Sequence, residues 1–249
     1  MANVSGRATR VGLLVPSSNS VMEVDFYRRL PEDATLHTGR MYLEHTTPEG
    51  ENEMLDQFAM PAARDIGTVK PHVVVFGCTS AGALRGNQYD AALCRQIGEE
   101  TGAEVVSVIA SVRRAISSHG ARSVGVLTPY VDSLNRKIQG SLEADGVEVV
   151  AMHGLNITDN FAIANVTPDE IADVATERLH GIRADIVFVS CTNFRAMEAI
   201  PLIETRLELP VVTSNQAAFD ATMDAIRGAG RHPASAAAYR AGTLPQETD

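Results

Sequence analysis

The chain has 249 residues, of which 45% are hydrophobic and 21% are charged, a composition that excludes disordered and fibrous proteins. Its formal net charge of −10 disfavours a nucleic-acid partner, because phosphate binding requires a basic surface. No apolar run approaches the roughly 20 residues that cross a membrane. The N-terminal segment MANVSGRATR lacks the apolar stretch of a secretion signal, and three cysteines cannot form a disulfide framework. We therefore expect a cytoplasmic protein with no nucleic-acid or membrane partner.

Seven short runs rich in valine and isoleucine predict seven β-strands. The runs are mostly unbroken rather than alternating, which is typical of strands that a parallel sheet buries on both faces. They span residues 10–15, 72–77, 104–109, 123–128, 147–152, 185–190 and 210–214. Helical patterns lie between them at 89–101, 131–144 and 168–180, and the last begins after a capping residue, Thr167. This alternation predicts an α/β fold with parallel sheets and right-handed crossovers.

An internal repeat divides the chain into two similar parts. The segment RVGLLVP at 10–16 resembles SVGVLTP at 123–129, and VVVFGCT at 73–79 resembles IVFVSCT at 186–192. Both pairs are offset by 113 residues, and a third pair, 103–107 and 209–213, follows at 106. We therefore predict two Rossmann-like parallel-sheet domains related by a pseudo-two-fold axis, with the active site between them. The predicted limits are 1–115 and 118–229, followed by a C-terminal tail at 230–249.

Cys78 and Cys191 occupy the same place in the two repeats, directly after a buried strand. Ligands of open α/β sheets bind at the carboxyl ends of strands, so the two thiols are expected to face one cleft. Two opposed acid/base groups can remove a proton from one face of a molecule and deliver one to the other. A thiol suits this role if its pKa is lowered toward neutral, which we expect here from the following helix N-terminus.

A buried cysteine is often only a small apolar filler, and Cys94 fits that description. It lies in the middle of a predicted helix, on the face of Ile97, and has no counterpart in the second repeat. The matched pair Cys78 and Cys191 is harder to explain in this way. We therefore predict that these two cysteines, and not Cys94, are catalytic.

In each repeat the chain turns a corner directly after its first strand, and polar residues at these two corners are candidates for carboxylate binding. In the first repeat the hydroxyl and amide groups could form a carboxylate cradle or simply cap a helix. In the second repeat a tyrosine at the corner could donate its hydroxyl to an anion, or be an ordinary half-buried aromatic. The candidates are Ser17, Ser18, Asn19 and Tyr130, together with Thr79, Ser80, Thr192 and Asn193 beside the cysteines.

The loop at 156–166 follows the fifth predicted strand and contains three asparagines. Either Asn160 or Asn165 could close over a ligand, and both could be ordinary turn residues.

Several common cofactor and metal motifs are missing from the sequence. It contains no dinucleotide or nucleoside-triphosphate glycine loop, no HExxH, no CxxC and no GxSxG. We therefore expect no cofactor and no metal, and a site made of thiols, hydroxyls and amides.

The motifs VPSSNSVME (15–23), FGCTSAG (76–82), LTPY (127–130) and VSCTNFRAMEAI (189–200) resemble the aspartate/glutamate racemase superfamily. Within it, the chain is most similar to the maleate cis–trans isomerase and arylmalonate decarboxylase branch over residues 10–228. The resemblance implies two α/β domains with a cofactor-free site between them. It also implies that Cys78 adds to the substrate double bond and that Cys191 donates and accepts a proton. Asn19, Tyr130 and the loop residue Asn160 would hold carboxylates and close the site.

The function expected from these observations is isomerisation of a small carboxylate, with maleate to fumarate as first choice. We also expect a homo-oligomer. Racemisation or epimerisation of an amino-acid derivative remains an alternative, because residues 190–217 resemble ectoine-utilisation relatives equally well. Arylmalonate-type decarboxylation is less favoured, since those enzymes resemble the scaffold but keep only the second cysteine. Arg195 could pair with a substrate carboxylate or lie on the surface, and a non-catalytic binding protein is the alternative outside enzymes.

Overall fold

The computed structural model describes residues 9–228, which form two four-stranded parallel sheets flanked by helices. The first sheet contains β1 (Thr9–Pro16), β2 (Ala34–Met41), β3 (Val73–Phe76) and β4 (Glu104–Ser107) in the order β2-β1-β3-β4. The second contains β5 (Ser123–Thr128), β6 (Glu148–Gly154), β7 (Ile186–Val189) and β8 (Val211–Thr213) in the order β6-β5-β7-β8. The two orders are the same, so the repeat in the sequence corresponds to a repeat in topology.

Eleven helices connect and cover these strands within residues 9–228. They are α1 (Met22–Tyr27), α2 (Pro48–Glu53), α3 (Ala59–Gly67), α4 (Thr79–Leu84), α5 (Asn87–Thr101), α6 (Val108–Ser118), α7 (Asp132–Glu143), α8 (Asn160–Ile163), α9 (Pro168–Leu179), α10 (Ala196–Leu207) and α11 (Ser214–Gly228). A π-helical turn, Met54–Phe58, joins α2 to α3. The α/β class and the parallel sheets predicted from the sequence are confirmed.

The central strands have the burial that their apolar runs predict. All residues of β3 and β7 are buried, and β3 pairs in parallel with β1 and β4 while β7 pairs with β5 and β8. Each of the seven predicted runs contains a strand. The run 104–109 was predicted two residues too long, because Val108 and Ile109 begin α6 behind Ser107, whose hydroxyl accepts from the Ala110 amide.

The strand β2 was not predicted. Its sequence, ATLHTGRM, mixes polar and apolar residues, and it lies at an edge of the first sheet, where seven of its eight residues are half-buried or exposed. The apolar pattern that marks a doubly covered strand is therefore absent from it.

The two halves share helices rather than meeting at a flat boundary. The last helix of the described residues, α11, packs against β3 and β4 of the first sheet as well as β8 of the second, and α6 packs against β4, β8 and α11. The domain limits 1–115 and 118–229 stay a prediction, and the predicted tail at 230–249 lies outside the described residues. Within residues 9–228, no helix combines the length and apolar character needed to span a membrane.

Candidate active site

Cys78 and Cys191 follow the carboxyl ends of β3 and β7, which occupy equivalent central places in the two sheets. Both cysteines are buried, with only 4% of each residue exposed to solvent. Burial raises the pKa of Cys78, with smaller contributions from Glu51 and Cys191, and Tyr130, itself buried, hydrogen-bonds to Cys191. The fold therefore brings the two sequence-matched thiols and the predicted tyrosine into one buried polar cluster.

The position of Cys78 depends on the glycine before it. The Gly77 amide donates to the Leu14 carbonyl, and a Cβ atom on Gly77 would stand 2.8 Å from that carbonyl oxygen and 2.9 Å from Val15 Cγ1. Real Cβ atoms do not approach so closely, so a larger residue would push the strand end away from β1. Gly77 thus allows Cys78 to leave β3 at the edge of the sheet and enter α4.

The backbone of Cys191 has a φ of +105°, a conformation that L-residues rarely adopt. Cys78 is ordinary at −140°, so the two cysteines match in sequence but not in conformation. The Cys191 amide donates to Ser214 Oγ at 3.0 Å, and the Asn193 amide donates to the Cys191 sulfur at 3.3 Å. These bonds hold a strained residue, and strain of this kind is concentrated at functional sites.

Ser214 connects the segment that carries Cys78 to the segment that carries Cys191. The sequence analysis did not identify this residue. Besides accepting from Cys191, its oxygen accepts a hydrogen bond from Thr79 Oγ1 at 2.8 Å. Ser214 is the last residue of the predicted strand 210–214, where the sequence indicated only a strand end. Its role emerges only when β8 is placed beside β7.

The predicted corner residues Ser17, Ser18 and Asn19 make two kinds of contact. Some of their hydrogen bonds stabilise the first half itself, and one reaches the second half. The hydroxyls of Ser17 and Ser18 both donate to the Leu43 carbonyl. Asn19 accepts from the amides of Val21 and Met22 at the start of α1, which is the capping role considered above. Its amide nitrogen also donates to Thr192 Oγ1 at 3.1 Å, and Asn19 is 1% exposed.

Thr192 and Asn193, which follow Cys191, contact the first half directly. Thr192 Oγ1 donates to the Gly77 carbonyl at 3.0 Å, beside Cys78. Asn193 accepts from the Ser20 amide at 2.9 Å and donates to the Asn160 carbonyl at 2.6 Å. The predicted residues around the two cysteines therefore form one hydrogen-bond network.

The structure distinguishes the two candidate asparagines of the loop. Asn160, the first residue of α8, is 3% exposed, donates to Ser18 Oγ at 2.8 Å and accepts from Thr46 Oγ1 at 3.1 Å. Asn165 is exposed and lies in a turn. Asn160 is therefore the one that closes the loop against the first half, together with Thr46, which the sequence did not indicate.

Two further residues lie outside this cluster. Arg195 is paired with Glu198 at 3.0 Å in an exposed ion pair, which agrees with the surface interpretation rather than the substrate-binding one. Cys94 lies in α5, half-buried against the core. The position of Cys94 is that expected of a structural cysteine.

Glu51 is the main residue of the cluster that sequence analysis missed. It lies on α2, which Thr47 caps and Pro48 begins, and it is fully buried. Its Oε1 accepts a short hydrogen bond from Ser80 Oγ, which lies 3.9 Å from the Cys78 sulfur. In the sequence Glu51 looks like one of the acids that favour a helix N-terminus, so no local signal distinguished it.

The expectation of a low thiol pKa is wrong for this structure. Burial first, and then the Glu51 carboxylate, raise the pKa of Cys78 well above its ordinary value. Burial likewise raises the pKa of Cys191 to about 12, although Tyr130 and the Asn193 amide oppose this effect, and raises the pKa of Tyr130. Burial raises the pKa of Glu51 to about 8. The helix after Cys78 has only six residues, and its influence is outweighed by desolvation.

Among residues 9–228, no cluster of histidine, cysteine, aspartate or glutamate side chains has the arrangement of a metal site. The side chains that converge between the two halves are instead thiols, hydroxyls, amides and two carboxyl groups, those of Glu51 and of Asp25, which accepts from Asn215 at 2.7 Å.

A family model described as arylmalonate decarboxylase matches residues 11–240, which is most of the chain. The chain belongs to the arylmalonate decarboxylase family. This is the same racemase-like branch, containing maleate isomerases and decarboxylases, that the sequence motifs resemble, so the predicted family is confirmed.

Two characterised relatives of this family member carry out different reactions. Arylmalonate decarboxylase from Bordetella bronchiseptica is 28% identical over 221 residues, covering 88% of this chain and 90% of the relative. Maleate isomerase from Alcaligenes faecalis is 26% identical over 219 residues, covering 82% and 86%. The chain is thus an enzyme of the isomerase and decarboxylase type, and identity at this level leaves the reaction open.

Solved structures of related isomerases share the fold. A cysteine-to-alanine variant of maleate isomerase from Pseudomonas putida with maleate has a TM-score of 0.82 at 24% identity, covering 88% of this chain and 92% of that one. A cysteine-to-serine variant of maleate cis-trans isomerase from Nocardia farcinica with a covalently bound succinylcysteine intermediate has a TM-score of 0.80 at 22% identity, covering 88% and 93%. Both likenesses confirm the architecture.

Proposed function

We propose that this family member is a cofactor-independent isomerase that converts maleate to fumarate, with Cys78 as nucleophile and Cys191 as acid and base. The observation that carries this proposal is the pair of buried thiols at equivalent strand ends of the two sheets, in loops that are joined through Ser214, which bonds to Thr79 and to the Cys191 amide. The covalent succinylcysteine of the Nocardia relative supports thiol addition on this scaffold.

In the proposed reaction the thiolate of Cys78 forms a bond to one alkene carbon of maleate. The electron pair of the double bond moves to the other carbon, which takes a proton from Cys191. The two carbons are now joined by a single bond and can rotate. Cys191 then removes the proton, the double bond reforms, and the Cys78 thiolate leaves, so that fumarate is released and both cysteines return to their starting state.

The two carboxylates of the substrate require hydrogen-bond donors, because Arg40, which contacts the corner, is already bonded to the Ser17 and Asn19 carbonyls and to Glu23. We propose that buried side chains supply these donors after exchanging some of their bonds to one another. The proposed binding residues are Ser17, Ser18, Asn19, Thr79, Ser80, Tyr130, Asn160, Thr192 and Asn193. Preorganised donors of this kind also stabilise the charge that develops when the thiolate adds.

The first test is conversion of maleate, followed by NMR, and formation of a covalent adduct in the Cys191→Ser variant, followed by intact mass. We expect a mass increase of one maleate, located on Cys78 by peptide mapping. Cys78→Ala should abolish both turnover and adduct, and Cys191→Ser should lower turnover by several orders of magnitude, because a serine hydroxyl is a far weaker acid. Cys94→Ser is the matched control and should retain activity. Turnover that survives Cys78→Ala would contradict the proposal.

Racemisation or epimerisation of an amino-acid derivative is the second candidate. It is favoured by the same observation, since opposed thiols from two halves can serve the two faces of one carbon. Solvent deuterium entering an α position of such a compound, with no reaction of maleate, would select this candidate. A cytoplasmic location and a homo-oligomer remain predictions made from the sequence.

A further inference from the structure

Glu51 is a buried acid that the proposed mechanism does not use. It is 0% exposed, and its Oε1 is bonded to Ser80 while its Oε2 has no hydrogen-bond partner among residues 9–228. An unpaired buried carboxylate is costly unless it serves a purpose or holds a proton. No arginine, lysine or histidine of the described chain forms an ion pair with it.

The protonation state of Glu51 determines which group donates in the contacts among Glu51, Ser80 and Cys78. When Glu51 is ionised, Ser80 must donate its only hydroxyl proton to Oε1, because a carboxylate can only accept. The lone pairs of Ser80 Oγ are then free to accept from the thiol of Cys78, 3.9 Å away. The three groups therefore form a chain from the thiol through the hydroxyl to the carboxylate.

We propose that Glu51 is a positioning residue for the Cys78 nucleophile: acting through Ser80, it takes up the proton that Cys78 must lose before it can attack. The S–H proton of Cys78 passes to Ser80 Oγ, and the hydroxyl proton of Ser80 passes to Glu51 Oε1. The products are a thiolate and a neutral carboxylic acid, so no charge is created or lost. This inference rests on the proposed role of Cys78 as the nucleophile.

The exchange removes an electrostatic conflict in the site. A thiolate beside an ionised Glu51 would place two negative charges in a buried space, and this repulsion contributes to the raised pKa of Cys78. Transfer of the proton leaves a single negative charge shared by the pair. The pair then titrates as a unit, and the reactive thiolate is available once its first proton has left.

Other titratable groups around Glu51 belong to the same buried cluster or lie on the surface. The ionisation of Glu51 affects Cys78, Cys191 and Tyr130. On its own helix, Glu49 and Glu53 are exposed. Beyond the ends of α2 and α4, Asp56 and Arg85 pair with each other at 2.7 Å.

The test is the rate at which iodoacetamide alkylates Cys78 as a function of pH, read by peptide mass with Cys94 as internal reference. In the wild type we expect the rate to rise where the pair loses its first proton, at or below the pKa of about 8 that burial gives Glu51. In Glu51→Gln and in Ser80→Ala the midpoint should move up by about one pH unit or more, because the thiol then ionises with no proton acceptor within reach. The matched control, Glu53→Gln, changes an exposed side chain of the same helix and should leave the profile in place.

The direction in which the midpoint of Cys78 alkylation shifts in Glu51→Gln tests the proposal. If Glu51 only repels the thiolate, Glu51→Gln would move the midpoint down, and that result or an unchanged midpoint would overturn the proposal. The double variant Glu51→Gln/Ser80→Ala should shift no further than either single variant, because both interrupt one chain. Should Glu51→Gln fail to fold, as judged by circular dichroism, Ser80→Ala carries the test.

Maleate turnover separates this inference from the proposed function. If the wild type does not convert maleate but the alkylation profile depends on Glu51 as expected, the substrate is wrong and the proton chain stands. If the wild type converts maleate and the pH profile of kcat/KM is the same in Glu51→Gln, the function stands and the proton chain is wrong.

Discussion

Glu51 links the ionisation of the site to the stability of the fold. Burial raises its pKa from an ordinary 4.5 to about 8, so the folded protein holds a proton that the unfolded chain loses in this range. A group with a raised folded pKa stabilises fully below its unfolded pKa, and this contribution is lost as pH rises toward the folded pKa. The difference in pH dependence of unfolding between the wild type and a variant that lacks this carboxyl group therefore reports on Glu51.

We expect the wild type to lose stability relative to Glu51→Gln as pH rises from about 4.5 to about 8. The difference should approach about 1.4 kcal/mol per pH unit, because one extra proton is bound in the folded state. Urea unfolding of both proteins across this range measures it. Parallel curves would mean that Glu51 ionises normally in the folded protein.

At the scale of single elements, α9 follows the rules of local sequence closely. The predicted cap Thr167 accepts from the Glu170 amide, and the Glu170 carboxylate accepts from the Thr167 amide, which forms a capping box. Both partners are a few residues apart, so the sequence alone sufficed. The edge strand β2 shows the opposite case, because its place in the sheet depends on pairing with β1 rather than on its own pattern.

We expect Thr167→Ala to destabilise the protein by about 1 kcal/mol, the usual cost of losing a cap. For a chain of this size the melting temperature should fall by about 2–4 °C. Turnover at 25 °C should not change, since Thr167 is exposed and takes no part in the cysteine cluster. Differential scanning fluorimetry and a maleate assay measure the two effects, and an unchanged melting temperature would contradict the capping role.

At the scale of the whole molecule, the site exists only because the two halves interlock. Asn19 bonds to Thr192, Thr79 to Ser214 and Asn160 to Ser18, contacts that join residues 173, 135 and 142 positions apart. Since both sulfurs are almost fully enclosed, a substrate reaches them only when part of this contact opens. The loop that carries Asn160 is the segment best placed to do so.

We therefore expect Asn160→Ala to favour the open site. The variant loses two side-chain hydrogen bonds, to Ser18 and Thr46, worth about 1 kcal/mol each, so opening should increase by about tenfold or more. Iodoacetamide should alkylate Cys78 and Cys191 faster, and KM should rise. The exposed neighbour provides the control, as Asn165→Ala should change neither, and equal labelling in the two variants would argue against this loop as the entrance.

The sequence alone determined the α/β class, the seven strands with apolar runs, the repeat and the matched pair Cys78 and Cys191, since each of these follows from local apolar patterns and from one fixed spacing. It also indicated the polar corners, though not which asparagine closes the loop. The tertiary structure decided that choice, brought Thr46 to Asn160, and brought Glu51 and Ser214 to the cysteines. It also reversed the expected thiol pKa, because desolvation depends on what the rest of the chain places around a group and not on its neighbours in sequence.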